Sequence, residues 1–276
     1  IISSRRGLRE LSPRYFASRV LPAYQDRYPT NLWMHFEARA PGDAEEMAAA
    51  ANEARGKNWR LSVEVEKPVF TPEEVLSILA HVDVAFISRE WVLRNAPSLL
   101  GEEVAASLPT TREHDDQGND HLALATLRAL GNRYRPAPRR VDDGGPEVLW
   151  VCAWGALGAM AFARERDCRV SSGTKIFAHA RTVDHVVDSV GAGDTFNAAV
   201  IAALTLGASF TNALSAGCAV AGDKVERVGF EGLELPSELE VDPRLARAVA
   251  NPKPRGMGAS SHKRKHKRRV VMDSIA

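Results

Sequence analysis

Long apolar runs and cysteines are both scarce in this sequence of 276 residues. No stretch approaches the roughly 20 consecutive apolar residues that a membrane-spanning helix requires, and the first ten residues lack an apolar signal core. Three cysteines are too few for a disulfide scaffold, which favours a reducing compartment such as the cytoplasm. With 45% hydrophobic and 26% charged residues, the chain is able to bury an α/β core as one large domain or two small ones.

Basic residues are concentrated at the C-terminus, although the net charge is only +1. Residues 253–276 contain eight Lys and Arg and one Asp, a charge of +7, so the remainder carries −6. The string SSHKRKHKRR (260–269) has no apolar periodicity, and we expect it to be disordered. It is typical of a nuclear-localisation signal or of a patch that binds polyanions such as nucleic acid. It is equally typical of a solvated tail that has no dedicated role.

Apolar strands and amphipathic helices alternate along most of the chain. Asp43 with Glu46, and Thr71 with Pro72, have the spacing expected at the starts of the first two helices. The alternation predicts a mostly parallel sheet that is covered by helices on both faces. Strands are predicted at 32–38, 60–66, 83–88 and 148–154, and helices at 42–55, 71–80, 194–206 and 211–222.

Three segments are predicted from the changes in composition. Residues 1–30 are an irregular, partly helical leader, residues 31–246 form the folded domain, and residues 247–276 are the basic tail. Residues 107–147 are polar and rich in Pro and Gly around one short helical patch at 121–130. Because so long a connection is uncommon in a compact domain, we interpret 107–147 as a partly disordered surface insertion.

The most informative string is DSVGAGDTFNAAVIAALTLGA (188–208), in which a Gly-rich turn leads into a helix. Such a turn leaves backbone N–H groups unpaired, and together with the helix dipole they form a site for anions. Gly191 and Gly193 let a phosphate approach the backbone without a Cβ in the way. The carboxylate of Asp194 would repel a phosphate, so it is better suited to accepting a proton from a substrate hydroxyl.

A second interpretation of the same residues is a plain turn followed by an N-capping Asp. Two other phosphate-binding motifs are absent, because nothing matches GxxxxGK[ST] and the turn at 191–193 does not continue as GxGxxG. A Walker-type or dinucleotide-binding site is therefore not predicted.

Several strings resemble the ribokinase-like (PfkB) carbohydrate kinases, over roughly residues 31–234. DSVGAGDTFNAA (188–199) is similar to a signature of that family. Four further strings narrow the resemblance to members of the family that phosphorylate ketoses. They are SVEVEKP (62–68), VCAW (151–154), AGCAVAG (216–222) and GFEGL (229–233). The resemblance implies a three-layer α/β/α sandwich that transfers the γ-phosphoryl group of ATP, with Mg²⁺, to a hydroxyl of a ketose such as fructose. The product would be the sugar 1-phosphate.

The resemblance also implies roles for particular residues. Asp194 would be the catalytic base, and the backbone of Gly191, Ala192 and Gly193 would form the anion hole for the transferred phosphoryl group. Glu66 would help to hold Mg²⁺, directly or through water, although an exposed or Lys67-paired carboxylate is an equally good interpretation. The implied nucleotide-binding residues are Trp154, Gly155, Gly158 and Ala159, with Cys218, Ala221 and Gly222 on the adenine side.

The sequence departs from the family at its N-terminal side. The portion that supplies most sugar-binding residues and a β-lid in these kinases is not found before Asn31, so we expect the chain to be a C-terminal portion. Subunit pairing through the lid, giving a homodimer, would then belong to the longer form. Further departures are Val225-Glu226 in place of Cys-Gly and residues 177–187 in place of a proline-rich stretch. Three alternatives stay open, namely an inert nucleotide-binding or scaffolding protein, another sugar kinase of the family, and a nucleic-acid binder acting through residues 260–269.

Overall fold

A single six-stranded sheet forms the centre of the protein. The computed structural model describes residues 10–110, 121–137, 147–165 and 173–241. The sheet has the order β1 (Trp33–Glu37), β2 (Arg60–Val65), β3 (Val84–Ile87), β4 (Glu147–Ala153), β5 (Ala159–Glu165) and β6 (Thr174–Ala178). Strands β1 to β4 are parallel, whereas β5 is antiparallel to both β4 and β6. The predicted mostly parallel sheet is confirmed, and β5 and β6 extend it beyond the strands that the sequence analysis identified.

Helices cover both faces of this sheet. One face packs against α3 (Pro41–Ala54), α4 (Pro72–Leu79), α5 (Arg89–Leu100) and α7 (Leu122–Arg133). The other face packs against α8 (Ala192–Thr205) and α9 (Phe210–Val225). The short helices are α1 (Pro13–Tyr15), α2 (Leu21–Arg27) and α6 (Glu102–Ser107), with a π-helical segment at Phe16–Val20 and a 3₁₀ turn at Gly155–Leu157. Within the described ranges, none of these helices combines the length and apolar character needed to cross a bilayer.

Residues 10–30, the described part of the leader that was predicted to be partly helical, pack onto the first face of the sheet. Phe16 and Leu21 are buried in the same apolar cluster as the strands. The ring of Phe16 meets the ring of Phe36, on β1, edge to face at a centroid distance of 5.7 Å. The leader therefore contributes apolar contacts to the core next to the edge strand.

The first two predicted helix starts have different outcomes. Thr71 is the N-cap of α4, and its hydroxyl and the Glu74 carboxylate form a complete capping box, so that prediction is confirmed. Asp43 is not an N-cap, because α3 begins at Pro41 with Ala40 in the N-cap position. Proline has the backbone φ of a helix already and needs no N–H acceptor in the first turn, so α3 begins earlier than a capping side chain would predict.

The interpretation of residues 107–147 as a surface insertion is wrong for its central part. Helix α7 extends to Arg133, and its leucines at 122, 124, 127 and 130 are buried against the sheet. His121 accepts a hydrogen bond from the Ala123 N–H at 3.1 Å and so caps the helix. The apolar residues on several sides of α7 are the physical reason why it belongs to the core. Residues 111–120 and 138–146, and the tail at 260–269, lie outside the described residues.

A buried ion pair joins the amino ends of three strands. Arg55 and Asp83 have almost no solvent exposure, and Arg55 Nη2 lies 3.3 Å from Asp83 Oδ2. The same carboxylate accepts the Leu61 N–H at 2.8 Å, where β2 begins. The backbone carbonyl of Asp83 accepts the Leu149 N–H of β4 at 3.0 Å. Asp83 therefore connects β2, β3 and β4 at the edge of the sheet where the parallel strands begin.

Removing this carboxylate should strongly destabilise the protein. We expect Asp83→Ala to lower the free energy of unfolding by about 3–5 kcal/mol, because the Arg55 guanidinium loses its buried partner. Urea unfolding of both chains measures the difference. Glu46→Gln, at an exposed position on α3, is the control and should change stability by less than about 0.5 kcal/mol. A loss below about 1 kcal/mol for Asp83→Ala would contradict a structural role for the pair.

Candidate active site

The Gly-rich turn leads directly into α8, two residues earlier than the sequence predicted. Gly191 is the N-cap, and its φ of 77° is in the left-handed region that suits glycine. The Thr195 N–H donates to the Gly191 carbonyl at 2.9 Å, which is the first hydrogen bond of the helix. The amides of Gly193 and Asp194 lie in the first turn, where a helix offers no carbonyl acceptor. The turn thus presents N–H groups at the positive end of the helix dipole.

Gly191 and Gly193 differ in the space around them. A Cβ built on Gly191 would lie 2.4 Å from the Phe230 ring, so a side chain there would have to displace this ring. A Cβ built on Gly193 meets no atom within 4 Å, and its φ is not positive. Gly191 is therefore required by packing and backbone conformation. Gly193 is required by neither, and its open side faces away from the packed protein.

Asp194 lies in the first turn of α8 and is exposed to solvent. It does not cap the helix, since Gly191 occupies that position, so the interpretation of Asp194 as an N-capping residue is wrong. The Ala192 N–H donates to the Ser189 carbonyl at 3.2 Å, so the first-turn amides beside this exposed carboxylate that have no helical acceptor are those of Gly193 and Asp194. This placement is what a proton acceptor next to an anion site requires.

A second carboxyl group lies against the start of α8. Glu64 on β2 accepts a hydrogen bond from Asn197 Nδ2 at 2.9 Å, and Asn197 is one helical turn after Asp194. Burial raises the pKa of Glu64 to about 7, and the charges of Asp194, Glu66 and Glu37 act in the same direction. The Asn197 hydrogen bond opposes this rise. The site therefore contains a half-buried carboxyl group that is easily protonated, in addition to the exposed Asp194.

Sequence analysis did not assign roles to Glu64 and Asn197. Side chains of a strand point alternately to the two faces of the sheet, and Glu64 lies on the face of β2 toward α8. Asn197 follows Asp194 by three residues, so the two residues lie on the same side of α8. These two spacings were visible in the sequence. Nothing in the sequence indicated that the two side chains would meet, because 133 residues separate them.

Glu66 follows β2 and is exposed. Ser88 Oγ donates to its backbone carbonyl at 2.8 Å, which joins the carboxyl ends of β2 and β3. Within the described parts of the chain, no group of three or more His, Cys, Asp and Glu side chains is arranged to hold a metal ion. A metal bound by Glu66 would need oxygen ligands from water or from a phosphate.

The predicted nucleotide-binding turn follows β4 at the same end of the sheet. The Trp154 side chain is buried, its ring packs edge to face on His121, and its Nε1 donates to the Thr110 carbonyl at 3.1 Å. Gly155 is exposed and has open space around it. Gly158 lies against the backbone of Ala178, so close that a Cβ would clash. Gly155 is thus open to a ligand, whereas Trp154, Gly158 and Ala159 are buried.

The predicted adenine-side residues lie along α9. Cys218 is buried, and its Sγ lies 3.7 Å from the Ala178 carbonyl at the end of β6. Gly222 is covered by the stem of Arg181, whose Cβ lies 2.9 Å from a Cβ built on the glycine. Ala221 is partly exposed. The structure brings β6, the Arg181 side chain and the last turns of α9 together on this side of the turn at 188–193.

Comparison with known proteins identifies the part of the chain that carries this site. Residues 155–236 match the model of the pfkB family carbohydrate kinases. This stretch includes the Gly-rich turn, α8 and α9. This part of the chain is similar to the pfkB carbohydrate kinases.

A curated relative extends the likeness beyond the pfkB stretch. Mouse (Mus musculus) ketohexokinase is 31% identical over 206 residues, which are 73% of this chain and 55% of the mouse protein. The chain therefore spans about half the length of that relative.

Solved structures show the fold around the pfkB stretch. Adenosine kinase from Schistosoma mansoni in complex with 2-fluoroadenosine has a TM-score of 0.54 at 16% identity, covering 80% of this chain and 57% of that chain. The apo adenosine kinase of Trypanosoma brucei brucei has the same TM-score at 14% identity, covering 79% of this chain and 58% of that chain. Together with the six-stranded sheet, these likenesses confirm the predicted ribokinase-like α/β fold.

The two glycines of the pfkB turn should respond differently to alanine. We expect Gly191→Ala to lower the free energy of unfolding by about 1–2 kcal/mol or more, because of the left-handed backbone and the Phe230 ring. Gly193→Ala should leave stability unchanged or raise it by up to about 1 kcal/mol, because alanine has the higher helix propensity. Urea unfolding measures both variants. Equal destabilisation by the two substitutions would contradict the geometry of the turn.

The raised pKa of Glu64 predicts a pH dependence of folding. The folded protein holds this proton up to about pH 7, whereas the unfolded chain releases it near 4.5, so the contribution of Glu64 to stability falls as the pH rises between these values. Glu64→Gln keeps an acceptor for Asn197 but removes this titration. Relative to wild type, the variant should therefore gain on the order of 2 kcal/mol between about pH 4.5 and 7. Unfolding curves at the two pH values measure the gain, and an equal effect at both would contradict it.

Proposed function

We propose that the chain carries the phosphoryl-transfer site of an ATP-dependent ketose kinase. The site would transfer the γ-phosphoryl group of ATP to a hydroxyl of a ketose, with fructose as the first substrate to test, and release the sugar 1-phosphate. The observation that carries the proposal is the exposed Asp194 carboxylate in the first turn of α8, directly beside the amides that follow Gly191. The likeness to mouse ketohexokinase supports the choice of a ketose.

Asp194 and the turn would divide the reaction between them. The backbone of Gly191, Ala192 and Gly193 would bind the transferred phosphoryl group, since first-turn amides and the helix dipole both stabilise negative charge. Asp194 would accept the proton of the attacking sugar hydroxyl, which makes the oxygen a better nucleophile as its bond to phosphorus forms. A carboxylate that bound the phosphate itself would oppose the reaction through charge repulsion.

The nucleotide would lie between the turn after β4 and the exposed side of α9. In parallel sheets, ligands collect beyond the carboxyl ends of the strands, and the turn at 155–158 lies at that end of β4. Gly155 and Ala221 are accessible there. The other predicted nucleotide-binding residues are buried and would shape the nucleotide site through packing. They are Trp154, Gly158, Ala159, Cys218 and Gly222.

Glu66 fits a role at a magnesium site that ATP shares. Magnesium in nucleotide sites is typically held by one or two carboxylates, by substrate phosphates and by water. A single exposed carboxylate at the end of β2 satisfies the protein's part of that set. When bound, Mg²⁺ would neutralise negative charge on the ATP phosphates.

Substitution of Asp194 tests the catalytic proposal. With ATP·Mg²⁺ and fructose, we expect Asp194→Asn to lower fructose-dependent ADP release by about 10²–10⁴-fold, because the variant lacks a base. ATP affinity should change little, since the backbone amides remain. Asp43→Asn is the matched control, because Asp43 is also an exposed aspartate in the first turn of a helix. Its turnover should equal that of wild type.

Two outcomes would overturn the proposal. Turnover above about a tenth of wild type in Asp194→Asn would rule out the assigned base. Binding of ATP by the wild-type chain in calorimetry, without fructose-dependent ADP release, would favour the inert nucleotide-binding protein. Transfer to a different sugar in a substrate panel would keep the chemistry and change only the acceptor.

A further inference from the structure

A fully buried lysine lies beneath the Gly-rich turn. Lys224, in the last turn of α9, has no exposed side-chain surface. Its ammonium nitrogen lies 3.0 Å from the Asp188 carbonyl oxygen, 3.0 Å from Asp188 Oδ2 and 3.4 Å from the Arg227 carbonyl oxygen. Burying an ammonium group is costly unless it is paired and hydrogen-bonded, and these oxygens supply both. The lysine is therefore part of a specific arrangement and is not a solvated surface charge.

Asp188, the partner of this lysine, organises the first half of the turn. Its Oδ1 accepts the Val190 N–H at 3.0 Å. The Val187 and Asp188 N–H groups both donate to the Val225 carbonyl, next to Lys224, at 2.7 and 3.1 Å. The Val190 hydrogen bond and the Lys224 ammonium hold the pKa of Asp188 below its usual range, so the carboxylate is ionised at neutral pH.

The same ammonium also contacts the aromatic ring that packs on Gly191. Lys224 Nζ lies 5.3 Å from the centroid of the Phe230 ring, a distance at which a cation is attracted to the ring. This ring occupies the space where a side chain on residue 191 would be. Lys224 thus contacts the turn on both sides of its left-handed glycine, through Asp188 before it and through Phe230 beside it.

Apolar burial does not hold the turn in place. Val186, Val187 and Val190 each keep more than half of their surface exposed, and His185 and Ser189 are exposed too. Asp188 is the residue of 185–190 that is partly buried. Because side-chain packing contributes little here, the polar contacts of Asp188 with α9 hold the residues that lead into Gly191, where α8 begins.

We infer that Lys224 is a positioning residue that holds the turn at 188–193 in its anion-binding conformation. The use of the turn for phosphoryl transfer rests on the proposed function. The positioning of the turn by Lys224 does not rest on the proposed function, and it is measurable without nucleotide. A purely structural ion pair would affect the whole protein equally, whereas a positioning residue affects the turn more than the central strands.

Hydrogen exchange of the full chain distinguishes these roles. The amides of Val187, Asp188 and Val190 have acceptors in or next to the turn, and the amides of β3 report global opening. In Lys224→Met, we expect the turn amides to exchange about tenfold faster than in wild type, relative to β3. Arg55→Met removes a buried cation far from the turn, so it should change the turn and β3 amides by the same factor. If the turn accelerates no more than β3 in Lys224→Met, the inference is wrong.

Asp188→Asn tests the same inference if Lys224→Met does not fold. The asparagine keeps Oδ1 as an acceptor for the Val190 N–H, and its NH2 group replaces Oδ2, so both the charge and the acceptor that pair with Lys224 are removed. Exchange of the turn amides should rise about threefold relative to β3, and no selective rise would overturn the inference.

Binding of ATP·Mg²⁺ separates the positioning role from the proposed function. Calorimetry should show about tenfold weaker binding for Lys224→Met and a change within about twofold for Arg55→Met. Faster exchange of the turn with unchanged ATP affinity would overturn the positioning role. Absence of ATP binding by wild type would overturn the proposed function, while the exchange comparison would still decide whether Lys224 holds the turn.

Discussion

The first amides of α8 have no helical acceptors, and the left-handed backbone of Gly191 determines which amides these are. With Gly191 as the N-cap, the amides of Gly193 and Asp194 lie in the first turn, and the Asp194 carboxylate is in solvent. A start three residues later would make Asp194 the cap and direct its oxygens to the backbone. The proposed anion site and the proposed base therefore both depend on the conformation of one residue.

The layer between β2 and the start of α8 is polar, whereas the rest of that interface is apolar. Phe196 packs on Phe86 and the neighbouring helix positions join an apolar cluster, but Asn197 meets Glu64. Half-burial of a carboxyl group beside other acidic residues is costly, which is why the pKa of Glu64 is raised. The folded protein maintains this unfavourable arrangement directly next to its proposed base, as is common where sites are built for chemistry.

Charged residues in the last turns of α9 connect that helix to two different parts of the preceding loop. Asp223 and Glu226 face outward and pair with Arg181, whose Nη2 lies 2.9 Å from Glu226 Oε2. Lys224 faces inward and pairs with Asp188. Arg181 and Glu226 lie in the two segments where the resemblance implied a different sequence, and an ionic contact joins these segments in this chain.

Local signals in the sequence were sufficient for most elements of the fold and for the helix start at the Gly-rich turn, whereas the anion site there stays a prediction. Strand-length apolar runs predicted β1 to β4, and Thr71 with Pro72 predicted the start of α4. The Gly-Ala-Gly-Asp string predicted an anion site at a helix start, because backbone freedom and helix termini are local properties. Helix α7 was misjudged because its flanking residues are polar, although its own leucines are buried.

Contacts between residues far apart in sequence were decided only by the tertiary structure. The pairing of Glu64 with Asn197, the pairing of Lys224 with Asp188, and the burial of Trp154 against His121 all depend on elements that the fold brings together. The sequence by itself determined which residue types were available and where helices and strands form. Burial and charge at each side chain arise from neighbours in space, so only the folded chain determined which carboxylate is exposed, which is half-buried and which is paired.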